Sequence, residues 1–127
     1  MSRNTNTVLV VDDNQDIRDL ITLILQDEGF PVLAASEGEA ALDQIALHQP
    51  DLVLLDVMMP GRSGIDILKE IRGSNNLVPV VMITAKSQGA DIDQAIEAGA
   101  TSYIVKPFRA DVLLEKVLAL LPKTEEE

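Results

Sequence analysis

The chain has no cysteine, no tryptophan and only three aromatic residues, Phe30, Tyr103 and Phe108. Without cysteine there is no disulfide, no thiolate nucleophile and no Cys-ligated zinc, which fits a reducing compartment. Since 46% of the residues are apolar and almost none of these aromatic, the core must be built from Val, Leu, Ile and Ala. Positive charge is also scarce: 10 bases against 21 acids give a net charge of -11. Such a chain is repelled by nucleic acid and by anionic membranes, so neither is expected as a partner. Glycine-rich phosphate cradles are missing, for neither G-x-G-x-x-G nor a Walker A pattern occurs. The single histidine, His48, stands just before Pro50-Asp51 and reads as a helix C-terminal residue, not as a ligand or base. No apolar run approaches the roughly 20 residues of a membrane span. The segment Met1–Thr7 lacks the apolar stretch of a secretion signal. A soluble, cytoplasmic protein is expected.

Short apolar runs are present instead, and they alternate with amphipathic stretches. The runs are Val8–Val11, Val32–Ala35, Leu52–Leu55, Val80–Ile83 and Tyr103–Val105. The first, third and fourth are nearly continuous in Val, Leu, Ile and Met, as strands buried on both faces should be. Between the runs the apolar spacing is helical. Ile17, Leu20, Ile21, Ile24 and Leu25 share one face, with Gly29 as a stop. Ser36 and Glu39 read as a capping box ahead of Ala41, Leu42 and Ile45. Ile65, Leu68 and Ile71 mark a third helix, stopped near Gly73, and Ile92, Ala95 and Ile96 a fourth, stopped at Gly99. A fifth, ended by Pro122, holds Val112, Leu113, Leu114, Val117, Leu118, Leu120 and Leu121. That is more than one core-facing stripe uses, so part should be exposed or lie under lysine stems.

Strand–helix alternation implies right-handed βαβ units and an α/β fold with a parallel sheet. The expected division is a disordered N-terminus over 1–6, one domain over 7–121 and an acidic tail over 122–127. In such a sheet ligands bind beyond the carboxyl ends of the strands. Strand one ends in Asp12-Asp13, strand three in Asp56, strand four in Thr84-Ala85 and strand five in Lys106-Pro107. Three carboxylates, a hydroxyl and an ammonium thus gather on one edge. Crowded carboxylates stay ionised only with positive charge among them. An all-oxygen, carboxylate-rich site suits a hard cation, Mg²⁺ above all. The plainer alternative is a solvated turn in which Asp12 or Asp13 caps the next helix.

The pattern resembles the receiver domains of two-component response regulators. The matching pieces are Val10-Val11-Asp12-Asp13-Asn14, the run Asp51 to Gly61, Gly64, Ile83-Thr84-Ala85, Gly99-Ala100 and Lys106-Pro107-Phe108. The resemblance implies a single-domain flavodoxin-like (βα)5 fold with helices on both faces of a sheet in order 2-1-3-4-5. It implies Asp56 as phosphoacceptor. Asp13, Asp56 and the backbone carbonyl of Met58 become direct ligands of Mg²⁺ or Mn²⁺, and Asp12 holds the metal through water. Thr84 would bond a phosphoryl oxygen and Lys106 would pair with another. Tyr103 matches the switch aromatic, and the Lys106–Pro107 peptide should be cis. Met58 and Lys86 would line the mouth of the site.

The expected partners are a histidine kinase or a His-phosphotransfer protein. A downstream protein or output domain would meet the fourth helix, fifth strand and fifth helix, where a weak homodimer is the other use. The protein would be a switch that assists its own Mg-dependent phosphorylation and dephosphorylation, not an enzyme. Ala100-Thr101-Ser102 stands where many DNA-binding regulators carry an acidic pair. This argues against their dimerising subclass. A phosphatase of the haloacid-dehalogenase type would need a second Asp where Met58 stands.

Overall fold

The computed structural model describes residues 6–85 and 89–121. Lys86, Pro122 and the charged tail lie outside the described residues, as does the polar N-terminus through Thr5.

The elements alternate without exception: β1 (Val8–Val11), α1 (Gln15–Asp27), β2 (Val32–Ala35), α2 (Gly38–His48), β3 (Leu52–Asp56), α3 (Gly64–Gly73), β4 (Val80–Ala85), α4 (Gly89–Glu97), β5 (Ser102–Lys106) and α5 (Ala110–Leu120). The strands form one parallel sheet in the order β2-β1-β3-β4-β5. This is the flavodoxin-like arrangement expected of the sequence.

The two-residue period of a strand divides the core into two layers. Leu9, Val11, Val53, Leu55 and Met82 meet α2 and α3 on one face through Ala41, Ile45, Ile67, Leu68 and Ile71. Val10, Leu52, Leu54, Val81, Ile83 and Ile104 meet α1 and α5 on the other through Ile21, Leu25, Leu113 and Val117. The central strands β1 and β3 carry apolar residues on both faces and are buried along their whole length. This accounts for their continuous apolar runs.

The start of α2 differs from the expected capping box. The N-cap is Glu37, whose side chain accepts from the Glu39 amide, so Ser36 lies outside the helix. Gly38 then opens the helix against α3, and a Cβ there would stand 2.4 Å from Ile67 Cδ1. The helix begins one residue later than the sequence signal because this close packing fixes where its first turn can sit. Among the described residues no helix is long and apolar enough to cross a membrane.

Candidate functional site

The register of the sheet assembles the site. Val11 pairs with Leu55, so the next residue on each strand brings Asp12 beside Asp56. Asp56 in turn pairs with Ile83, the neighbour of Thr84. Ala85 pairs with Lys106. Backbone pairing therefore runs one or two residues past the apolar runs. Asp56, Thr84 and Lys106 thus belong to the strands.

The helix after β1 does not use its acids as caps. Asn14 is the N-cap of α1, its side chain accepting from the Ile17 amide at 3.0 Å. This leaves Asp12 and Asp13 for another purpose. Asp12 is fully buried. Its Oδ1 accepts from the Asn14 amide at 2.9 Å, and its main-chain carbonyl accepts from Arg18 Nη1 at 2.9 Å. Its Oδ2 is buried without a hydrogen bond. Lys106 Nζ stands 3.4 Å from that oxygen and donates to Asp56 Oδ1 at 3.3 Å. One ammonium is thus shared by two carboxylates. Asp13 is exposed and points its carboxylate to the same place: oxygens of Asp12, Asp13 and Asp56 lie within 4.8 Å of one another.

This crowding leaves a mark on Asp56. Its residue is only 3% exposed. Burial first, and the neighbouring Asp12 charge second, push its carboxyl from 3.8 up to about 6. Lys106 and the Met58 amide pull the other way without offsetting this. A buried acid oxygen with no hydrogen bond, beside two further carboxylates, is an incomplete site by the ordinary rule that buried polar groups are paired. A hard divalent cation would supply what is missing, because its ligands are oxygens and it favours the ionised form of each acid. The residues present fit such an ion.

The remaining expected residues are placed as follows. Met58 lies beyond the end of β3 with its side chain 59% exposed. Thr84 is buried, and its hydroxyl makes only a long 3.4 Å contact to the Ala85 carbonyl. Tyr103 pairs with Met82, so it shares a sheet face with Thr84, two residues further along β4. Its ring is turned outward, 37% exposed, with Lys116 Nζ 5.6 Å from the centroid. The Lys106–Pro107 peptide is cis. His48 closes α2 on the surface. On α5, Leu113 and Val117 are buried while Val112 and Leu118 are exposed, and Val112 leaves apolar surface beside Tyr103.

Gly64 stands in the receiver-like pattern, but its packing role, like the contacts of Arg18 near the site and of Arg72 away from it, carries no clear signal in the sequence. Gly64 opens α3 so close to β3 that a Cβ would fall 2.1 Å from the Asp56 carbonyl oxygen. Arg18 reaches back from α1 to Asp12. Arg72 ties the end of α4 to α3, donating from Nε to the Gly99 carbonyl at 3.0 Å and from Nη1 to the Asn76 carbonyl at 2.9 Å. A basic residue one turn into a helix, or near a helix end, is too common to single out without the fold.

Comparison with known proteins agrees with this geometry. The DNA-binding response regulator MtrA of Mycolicibacterium smegmatis is 40% identical over 120 residues, which is 94% of this chain and 52% of that protein. The chain thus spans about half the length of the curated relatives it matches. The receiver domain of NtrX from Brucella abortus is 40% identical with a TM-score of 0.86, covering 90% of this chain and 97% of that one. The chemotaxis response regulator CheY4 of Vibrio cholerae is 31% identical with a TM-score of 0.86, covering 93% of this chain and 100% of that one. The family model for the response regulator receiver domain matches residues 8–118. By sequence, strand order and the acids gathered at its strand ends, the chain belongs to the receiver domain family of two-component response regulators.

Proposed function

We propose that Asp56 accepts a phosphoryl group from a histidine kinase or a His-phosphotransfer protein, and that the adduct switches the surface made by α4, β5 and α5. The observation that carries the proposal is a nearly buried Asp56 set among Asp12, Asp13 and Lys106.

In the reaction, an Asp56 carboxylate oxygen attacks the donor phosphorus. The new O–P bond forms as the donor's P–N bond breaks, and the imidazole departs with the electron pair and takes a proton. Charge spreads over the phosphoryl oxygens, so positioning and electrostatics supply most of the catalysis. Lys106 pairs with one of these oxygens, and the Thr84 hydroxyl, held only by its long contact, turns to bond another. Bound Mg²⁺ or Mn²⁺ would offset the acids' charge and neutralise the incoming group. Asp13, Asp56 and the Met58 carbonyl would hold it directly, and Asp12 through water.

The same contacts drive the switch. The inward turn of Thr84 opens space behind β4, and Tyr103, on the same face, rotates inward to fill it. This removes Tyr103 from under Lys116 and reshapes the groove of about 400 Å³ bounded by Tyr103, Pro107, Phe108, Val112 and Lys116. A change in that groove is what a downstream protein, an output domain or a second copy reads. To be decisive, the adduct must favour one packing by several kcal/mol. The domain then works as a cytoplasmic switch, and any nucleic-acid contact belongs to an attached output domain, as the name of the MtrA relatives suggests.

The test is intact mass after incubation with Mg²⁺ and a small acyl-phosphate or phosphoramidate donor. The expected result is one added phosphoryl group, lost in Asp56→Asn and in the presence of chelator. No adduct on a protein that binds the metal would sink the proposal.

A further inference from the structure

We infer that Arg18 is a positioning residue for the metal and phosphoryl site, fixing the β1–α1 turn so that Asp12 keeps one carboxylate oxygen bare and aimed inward; this rests on the reading of the acid cluster given above. Asp12 is a short side chain two residues ahead of the N-cap Asn14, and an Asp in such a turn can ordinarily swing to bond other nearby backbone amides. Here three contacts prevent it. The Asn14 amide takes Oδ1, Lys106 stands by Oδ2, and Arg18 Nη1 holds the main-chain carbonyl. The first two act on the carboxylate itself. The third holds the backbone from which the carboxylate projects on its carbonyl side, complementing the Asp12 amide, which donates to the Ala35 carbonyl at 3.2 Å.

Arg18 is well placed for this. It lies in the second turn of α1, with its own amide bonded to the Asn14 carbonyl and its carbonyl accepting from Thr22 Oγ1 at 2.8 Å. The helix is anchored in turn by Ile21 and Leu25, both fully buried. The guanidinium thus ties the loop bearing Asp12 and Asp13 to a rigid body. Among the described residues no other side chain donates to the Asp12 main chain. Without Arg18, the turn gains freedom and Oδ2 loses its fixed aim. The acids would still be present but less well organised before a cation arrives. Groups that orient metal-binding residues from behind typically matter tenfold or more in affinity.

The test compares Mn²⁺ binding, followed by water-proton relaxation, in wild type, Arg18→Met, Arg18→Lys and Arg72→Met. Arg72→Met removes a comparable guanidinium tether far from the acids and controls for general loosening. The expected result is about tenfold weaker Mn²⁺ binding in Arg18→Met. Arg18→Lys, which restores one donor, should fall between it and wild type, and Arg72→Met should bind as wild type does. Phosphorylation of Arg18→Met by a small donor should be slow at limiting Mg²⁺ and recover at saturating Mg²⁺. Unchanged Mn²⁺ affinity in Arg18→Met, or an equal loss in Arg72→Met, overturns the inference. If Arg18→Met does not fold, Arg18→Lys decides by the same comparison. If wild type itself binds no Mn²⁺, the reading of the acid cluster fails, and this inference falls with it.

Discussion

Replacing Asp56 with Asn should stabilise the metal-free protein, and the gain should grow with pH. In the folded chain the Asp56 carboxyl is pushed from 3.8 up to about 6 by burial and by Asp12. Between those values the folded state binds more protons than the unfolded state, so stability falls as pH rises through this window and is flat above it. At pH 7.5 the full difference of about two pH units applies, at 1.36 kcal/mol each, a penalty of about 3 kcal/mol. At pH 5 the folded carboxyl is mostly neutral, and the same linkage leaves about 2 kcal/mol. Asn carries no charge to bury at either pH. The advantage of Asp56→Asn should therefore increase by about 1 kcal/mol from pH 5 to pH 7.5, whatever its starting value. Titrating groups remote from the site are common to the two proteins and cancel in the difference. Urea unfolding in chelator, followed by far-ultraviolet circular dichroism, measures it, since no tryptophan is present. Adding Mg²⁺ at a hundred times its dissociation constant should stabilise wild type by about 2.7 kcal/mol and close most of the gap. An advantage that is independent of pH, or that shrinks as pH rises, would refute the electrostatic account of the site.

Other outcomes follow from neighbouring contacts. Lys106→Met removes the ammonium shared by Asp12 and Asp56. It should move the Asp56 titration above 6 and cost about 1–3 kcal/mol at pH 7.5 without metal, read from the same unfolding curves. Gly64→Ala places a Cβ 2.1 Å from the Asp56 carbonyl oxygen, and neither backbone can yield cheaply. A loss of about 2 kcal/mol or more is expected in urea, with weaker metal binding because the end of β3 must shift. Beryllofluoride with Mg²⁺ should bury Tyr103, the only tyrosine, and so change its fluorescence and solvent quenching. Thr84→Ala should abolish that change while leaving metal binding intact.

Much of this fold is legible in the sequence because its core strands are buried on both faces. Val8–Val11 and Val32–Ala35 are strands with the expected bounds. The other three strands run past their apolar runs, to Asp56, Ala85 and Lys106. Backbone pairing with neighbours holds these polar residues in the ladder, and hydropathy cannot register that. Asp12, Asp13, Asp56, Thr84 and Lys106 were legible as a set because a parallel sheet brings its strand ends together. What holds them was not. Asn14, not either Asp, caps α1. Arg18 acts through a main-chain carbonyl, and Gly64 through a side chain it lacks. Such contacts depend on three-dimensional approach, and residue type alone does not announce them.

The proposal that Asp56 is the phosphoacceptor is tested most directly by finding the residue that carries the group. Phosphorylation with Mg²⁺ and a small donor, reduction of the acyl phosphate by borohydride, and peptide sequencing would mark the modified carboxylate as homoserine. The account predicts homoserine at position 56 and at no other acid. Homoserine at position 12 or 13, or an unmodified chain after metal-saturated treatment, would contradict it.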